Sequence, residues 1–238
     1  MANCTANSIY NKNSNKRVGE KELINANKRV IYRLNEKYYD FLREHNMIVC
    51  SMPLKYKDWT RFVRKITNNP NLTYAFDLDR GFKPDGDFIC LYDKVKDISY
   101  VLAASEAKEQ GTNKGRIKAG ENKQAIGNAI ERSSKNLGLM NLFFSKLPFN
   151  PYAIFMSGCD FNSKNNTKYM RNKVLEINLG YPLNKVLLNQ GMGYTGCSIF
   201  CREKKYSISE MEEVLYQIAE NSLKYYMDTY FKDETCNM

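Results

Sequence analysis

Histidine is nearly missing from this 238-residue chain: His45 is the only one. That excludes Ser-His and Cys-His nucleophilic chemistry unless His45 itself is the base. It sits in Arg43-Glu44-His45-Asn46 at an expected helix end, where a solvated or capping role is the plainer reading. The seven cysteines (Cys4, Cys50, Cys90, Cys159, Cys197, Cys201, Cys236) are odd in number and contain no CxxC pair, so a disulfide framework is not expected. Cys197 and Cys201 are at most half of a zinc site, with no second cysteine pair to complete it. Long apolar runs are missing too. None exceeds five residues, whereas a membrane span needs roughly 20, and the first sixteen residues are polar rather than signal-like. The sequence therefore predicts a cytoplasmic protein without a membrane partner. Hydrolysis by such a chain has to run on carboxylates, lysine and a metal ion.

What the chain has in excess is positive charge. Thirty-six Lys and Arg against twenty-six Asp and Glu leave a formal +10, which favours a large anionic partner, with nucleic acid foremost. The twenty-seven asparagines carry no functional signal. Residues 1–19 are small, polar and basic, too poor in apolar groups to order alone, and are expected to form a mobile arm. Apolar residues Ile24, Ile31, Leu34, Tyr38, Phe41 and Leu42 recur at the helical period and predict one long helix over residues 20–46. A short helix is expected over 57–66, ended by Asn68-Asn69-Pro70.

The three five-residue apolar runs, 88–92, 100–104 and 152–156, suit strands buried on both faces. The first two are close enough in sequence for an antiparallel hairpin. A helix over 129–144 separates the second from the third and makes a crossover possible. A last helix is expected over 209–230, with Met211, Val214, Leu215, Ile218, Leu223 and Met227 on its stripe. The fold class is α/β: a single domain over 1–238, with a mixed central sheet flanked by helices.

Pro84-Asp85-Gly86 enters the first core strand, and Glu106-Ala107-Lys108 leaves the second. Neighbouring strands bring the carboxylates of Asp85 and Glu106 to one sheet edge. Two hard oxygen donors and a backbone carbonyl, assigned to Ala107, suit Mg²⁺, which keeps waters for its substrate. Glu106 and Lys108 are two apart on a strand and share a face. Lys108 can then hold or help deprotonate an attacking water beside a metal-polarised phosphate. This is the PD-(D/E)XK nuclease pattern. The plainer alternative is a turn Asp with a surface Glu and Lys at a strand end. Asp77, Asp79 and Asp87 are neighbouring carboxylates read as turn or solvated residues.

Residues 127–133 read Gly-Asn-Ala-Ile-Glu-Arg-Ser. Taken locally, this is a helix start, with Asn128 as N-cap and Glu131 as its capping-box partner. An Asn side chain can also pair with adenine N6 and N7, and Arg132 can reach purine acceptors in the major groove. The segment closely resembles the DNA-recognition segment of the EcoRI-type restriction endonucleases. Lys83 to Gly86, Glu106 to Lys108 and Gln110-Gly111 resemble that family's active-site strands, and Pro151-Tyr152, Phe155, Gly158 and Phe161 continue the likeness. The resemblance spans residues 83–161, a third of the chain.

The resemblance implies a homodimeric type II restriction endonuclease in the bacterial cytoplasm. It would cut double-stranded DNA at a palindrome with an AATT core (GAATTC-like), leaving 5′ overhangs, and work beside a cognate methyltransferase. It also implies that the reader segment runs extended along the groove before its helix begins. Asn128, Ala129 and Arg132 would read the core with Gln110 assisting, and Glu131 would buttress them or accept from a base amino group. Gln124 and Ala125 count among the expected readers; Gln124 and Ile126 replace Met and Ala of the family's best-known member and flank the residues that would read the outer base pair, so a different outer letter is expected. At 109 the chain has Glu where the best-known member of that family has His, which predicts a more acidic field on Lys108. The family's later paired arginines have no counterpart in 183–190, where Lys185 is the only basic residue. Lys114, Arg116, Lys118 and Lys123 are then the expected phosphate contacts, with a solvated charged loop as the alternative. Two other readings keep the fold: a catalytically silent DNA-binding regulator, and a structure-specific repair nuclease. An intact Asp85, Glu106, Lys108 set together with the 128–132 reader argues against both.

Overall fold

The computed structural model describes residues 18–52, 84–109, 128–145, 147–158, 161, 167–188 and 196–231. In chain order they form α1 (Val18–Lys37), α2 (Tyr39–Glu44), β1 (Met47–Met52), β2 (Phe88–Asp93), β3 (Ile98–Glu109), α3 (Asn128–Phe143), β4 (Tyr152–Ser157), α4 (Thr167–Ile177), β5 (Ser198–Arg202) and α5 (Ile208–Tyr230). The strands make one sheet in the order β1-β2-β3-β4-β5. β1, β2 and β3 pair antiparallel, while β3, β4 and β5 pair parallel.

The three apolar runs are strands for the reason their composition gives: both faces of the sheet are covered. Phe88 and Cys90 of β2, with Tyr152, Ile154 and Met156 of β4, pack on one side with Ile130, Leu137 and Met140 of α3. Ile89 and Leu91, with Ala153 and Phe155, pack on the other with Leu23, Val30 and Leu34 of α1 and Leu215, Ile218 and Leu223 of α5. The β2–β3 hairpin and the parallel β3–α3–β4 crossover are as expected.

The helix expected over 20–46 is instead two, α1 and α2, broken at Tyr38. Tyr38, Phe41 and Leu42 continue the apolar spacing across the break, so periodicity alone reads through it. The Tyr38 hydroxyl donates to Glu220 of α5 at 3.0 Å, a long-range contact that no local pattern encodes. α1 begins at Val18, so the last two residues of the expected arm are helical; residues 1–17 and the helix expected over 57–66 lie outside the described residues. The edge strands β1 and β5 were not expected, because their apolar runs fall below five residues. Asn46, at φ 53°, reverses the chain from α2 into β1, a left-handed position that Asn tolerates. Among the described residues no helix is long and apolar enough to cross a membrane.

Candidate active site

The site forms where β3 changes partner. Up to Ala104, β3 runs antiparallel to β2; from Ala104 to Glu109 it runs parallel to β4. β2 begins at Phe88, opposite Ala104, and the residues just before it turn back over the uncovered half of β3. The Gly86 N–H donates to Ser105 O at 3.0 Å, and Asn27 of α1 donates to the Gly86 carbonyl. A Cβ on Gly86 would run into Ser105 Oγ, so only glycine lets the turn settle this close to the strand.

The turn places Asp85 over β3. Its Oδ2 accepts from the Ala107 N–H at 3.2 Å and from Lys108 Nζ at 3.0 Å. Lys108 Nζ also contacts Glu106 Oε1. In a strand the N–H and C=O of one residue point the same way, so the Ala107 carbonyl faces the same edge as Asp85. Glu106 is 1% exposed. Burial alone would lower the Lys108 pKa, but the carboxylates of Glu106 and Asp85 outweigh it and hold the group above its ordinary value. Lys108 is therefore an ammonium in this state, able to orient a water or a phosphate oxygen but not to take a proton.

Two carboxylates and one ammonium leave this half-buried edge with one negative charge in excess. An additional cation would relieve that excess, and the oxygens of Asp85, Glu106 and Ala107 are hard donors of the kind Mg²⁺ takes. The donor set fits such an ion. Among the described residues no three His, Cys, Asp or Glu side chains cluster as a larger metal site.

Two contributors to the site were not expected in these roles. Asn136 Nδ2 of α3 lies 2.7 Å from Glu106 Oε1 and 2.6 Å from Oε2, and the Tyr152 hydroxyl of β4 donates to Oε2. Burial, then the neighbouring Glu106 charge, pushes the Tyr152 phenol well up, so it stays protonated and donating. A signal for Tyr152 exists in the sequence: a tyrosine inside a buried apolar strand needs a partner for its hydroxyl.

The family model described as Restriction endonuclease EcoRI matches residues 3–233. The chain belongs to the EcoRI restriction endonuclease family. It is 28% identical to the type II restriction enzyme EcoRI of Escherichia coli, a match covering 60% of this chain and 64% of that enzyme. It is 26% identical to the type II restriction enzyme RsrI of Cereibacter sphaeroides, over 61% of this chain and 64% of the relative. The chain thus spans slightly less than two thirds of the length of these two relatives.

The residues expected to read bases sit at the start of the described part of α3. Asn128 and Ala129 are half-buried there, while Glu131 and Arg132 are exposed. Asn128 is the first described residue of α3. Glu131 pairs with Lys135 at 3.3 Å, one turn on. Gln110, Gln124, Ala125, Lys114, Arg116, Lys118 and Lys123 lie outside the described residues. Lys185 is exposed.

Glu109 overturns its expectation. Strand alternation turns it away from Lys108, and its Oε2 pairs with Lys205 Nζ at 3.0 Å beside Gly19 of α1. His45 closes α2, its Nδ1 3.0 Å from the Phe41 carbonyl oxygen. Cys197 is buried, with its N–H donating to Asn178 Oδ1 at 2.8 Å, a structural contact.

Proposed function

We propose that this chain is a single-domain, site-specific endonuclease that hydrolyses phosphodiester bonds of double-stranded DNA at a short palindrome. The observation that carries the reading is the convergence of Asp85 and Glu106 on Lys108, in a chain of the EcoRI restriction endonuclease family.

Asp85, Glu106 and the Ala107 carbonyl would hold Mg²⁺. Bound there, the ion would supply charge to polarise the scissile phosphate and stabilise the leaving oxygen. The protein's own share of the work is positional. Lys108 orients the attacking water and neutralises charge developing on the phosphate. Asn136 and Tyr152 hold the Glu106 carboxylate in one orientation, so little reorganisation remains at the reacting centre.

Recognition falls to the other end of α3. Asn128 pairs with adenine in the major groove, and the exposed Arg132 reaches purine acceptors beside it, with Ala129 and Glu131 completing the contact. This suits an AATT core. Gln110, Gln124 and Ala125 extend the readout, and Lys114, Arg116, Lys118 and Lys123 contact phosphates. A palindrome is matched by two-fold protein symmetry, so the enzyme acts as a homodimer with one active site per strand. Its setting is the bacterial cytoplasm, where a methyltransferase protects the same site in host DNA.

Digesting a plasmid of known sequence with Mg²⁺ and sequencing the ends tests the reading. Discrete fragments sharing one AATT-centred palindrome are expected. Random nicking would point to a structure-specific nuclease, and binding without cleavage in Mg²⁺ or Mn²⁺ to a silent DNA-binding protein.

A further inference from the structure

A buried carboxylate needs partners, and Glu106 has three donor groups on its two oxygens. Lys108 serves Oε1 and Tyr152 serves Oε2, so each oxygen already has one. The Asn136 amide nitrogen is a further donor, at 2.7 and 2.6 Å from the two oxygens, which places it in the fork between them. That fork is where an ion gripped by both oxygens of one carboxylate would sit. Asparagine is also a poor helix former, and Asn136 stands in the interior of α3, where a better one would serve if helix formation were all that mattered.

With the fork filled and Oε2 engaged by a buried hydroxyl, Glu106 is left to present Oε1. This is the oxygen already turned toward Lys108 and, through it, toward Asp85. Ca²⁺ takes six to eight oxygens and readily uses both oxygens of a carboxylate; Mg²⁺ needs a tight octahedron and keeps several waters. A carboxylate limited to one oxygen therefore costs Ca²⁺ a ligand and costs Mg²⁺ little.

We propose that Asn136 sets the ion preference of the site, by occupying the fork of Glu106 and restricting that residue to one-oxygen coordination. The inference rests on the reading of Asp85 and Glu106 as the metal ligands. Asn136 acts through Glu106 and is a positioning residue.

The test reads ion binding directly. Tb³⁺, a Ca²⁺-like probe, is excited through tyrosine, and Tyr152 lies against Glu106 to sensitise it. Displacement by Mg²⁺ and by Ca²⁺ then gives both affinities in wild type, Asn136→Ala, Asn136→Ser and Glu106→Gln, with each fold checked by circular dichroism. Glu106→Gln should abolish the Tb³⁺ signal. Asn136→Ala should raise the ratio of Ca²⁺ to Mg²⁺ affinity by about tenfold, the scale of one modest ligand contact. Asn136→Ser, too short to fill the fork, should move it in the same direction and carries the test if the Ala variant does not fold. An unchanged ratio, or equal weakening of both ions, overturns the inference while leaving the nuclease reading intact. A wild type with no Glu106-dependent signal removes the ligand assignment itself.

Discussion

The α1–α5 face of the sheet and the edge where β3 meets α3 put paired acidic and basic side chains to opposite ends. On the first, Arg29 and Arg33 reach Glu212 at 3.4 and 3.0 Å, and Lys37 reaches Glu220 at 2.6 Å. These bonds rim an apolar interface built on Leu23, Val30, Leu34, Leu215 and Ile218, each at most 2% exposed. Their cations stand near solvent, and surface pairs of this kind add little beside the core they border. At the second, one lysine serves two carboxylates, one of them almost fully buried. Charge left unbalanced and desolvated is costly, and a fold retains it where a ligand completes it. Residues on the first face should govern stability and those on the second should govern cleavage.

Lys108→Ala should separate the two most sharply. Cleavage should fall by about 10²–10³-fold or more, the scale of losing one charged group aimed at the reacting phosphate. Site-specific binding measured in Ca²⁺ should stay close to wild type if Lys108 serves the reacting phosphate and not a base edge. Equal loss of binding and cleavage would place Lys108 in the structural class and break the contrast. On the opposite face, Leu34→Ala should lower unfolding free energy by about 2–5 kcal/mol, as expected for a fully buried leucine. Once folded, that variant should cleave with the wild-type rate constant, so denaturant melts and single-turnover cleavage should move independently.

How much of this was legible in the sequence depends on whether the pattern was local. Solid apolar runs at 88–92, 100–104 and 152–156 announced strands covered on both faces, and the PD and ExK segments at their ends marked residues that meet at the candidate site. The break at Tyr38 was hidden because the apolar spacing runs straight through it, and β1 because its apolar run is short and its pairing partner β2 is distant in sequence. Glu109 was misread for a different reason. Adjacency in sequence suggested it would act on Lys108, but strand alternation sends consecutive side chains to opposite faces. Asn136 was hidden because the segment expected to read bases runs into the same helix, and nothing in its spacing shows which of that helix's polar residues turns inward.

Asn128→Ala tests whether the α3 end of the contrast has its own division of labour. Loss of one bidentate base pairing should reduce discrimination between the site and a single-base variant by about 1–3 kcal/mol. Fold and metal binding should be unchanged, because Asn128 lies two turns along α3 from Asn136. If discrimination and affinity both hold, the reader assignment at Asn128 is wrong.

The smallest effect belongs to the α1–α5 rim, and it is read by acid. Burial alone would raise the Glu220 carboxyl, but the hydrogen bonds donated by Lys37, Tyr216 and Tyr38 overcome it and bring the group down from 4.5 to about 2. A carboxylate whose folded value lies below its unfolded one adds stability that is complete above about 4.5 and fades as pH falls toward about 2. Solvent screening keeps that contribution to about 1 kcal/mol. Glu220→Gln should therefore melt slightly below wild type at pH 7, and the gap should close between pH 5 and pH 2 as the wild-type carboxylate takes up its proton. Cleavage at neutral pH should be untouched, since among the described residues Glu220 bonds only to α1, Tyr38 and its own helix. A gap that stayed constant with pH would show that Glu220 contributes through packing rather than charge, and the rim would then be an extension of the apolar core instead of an electrostatic border to it.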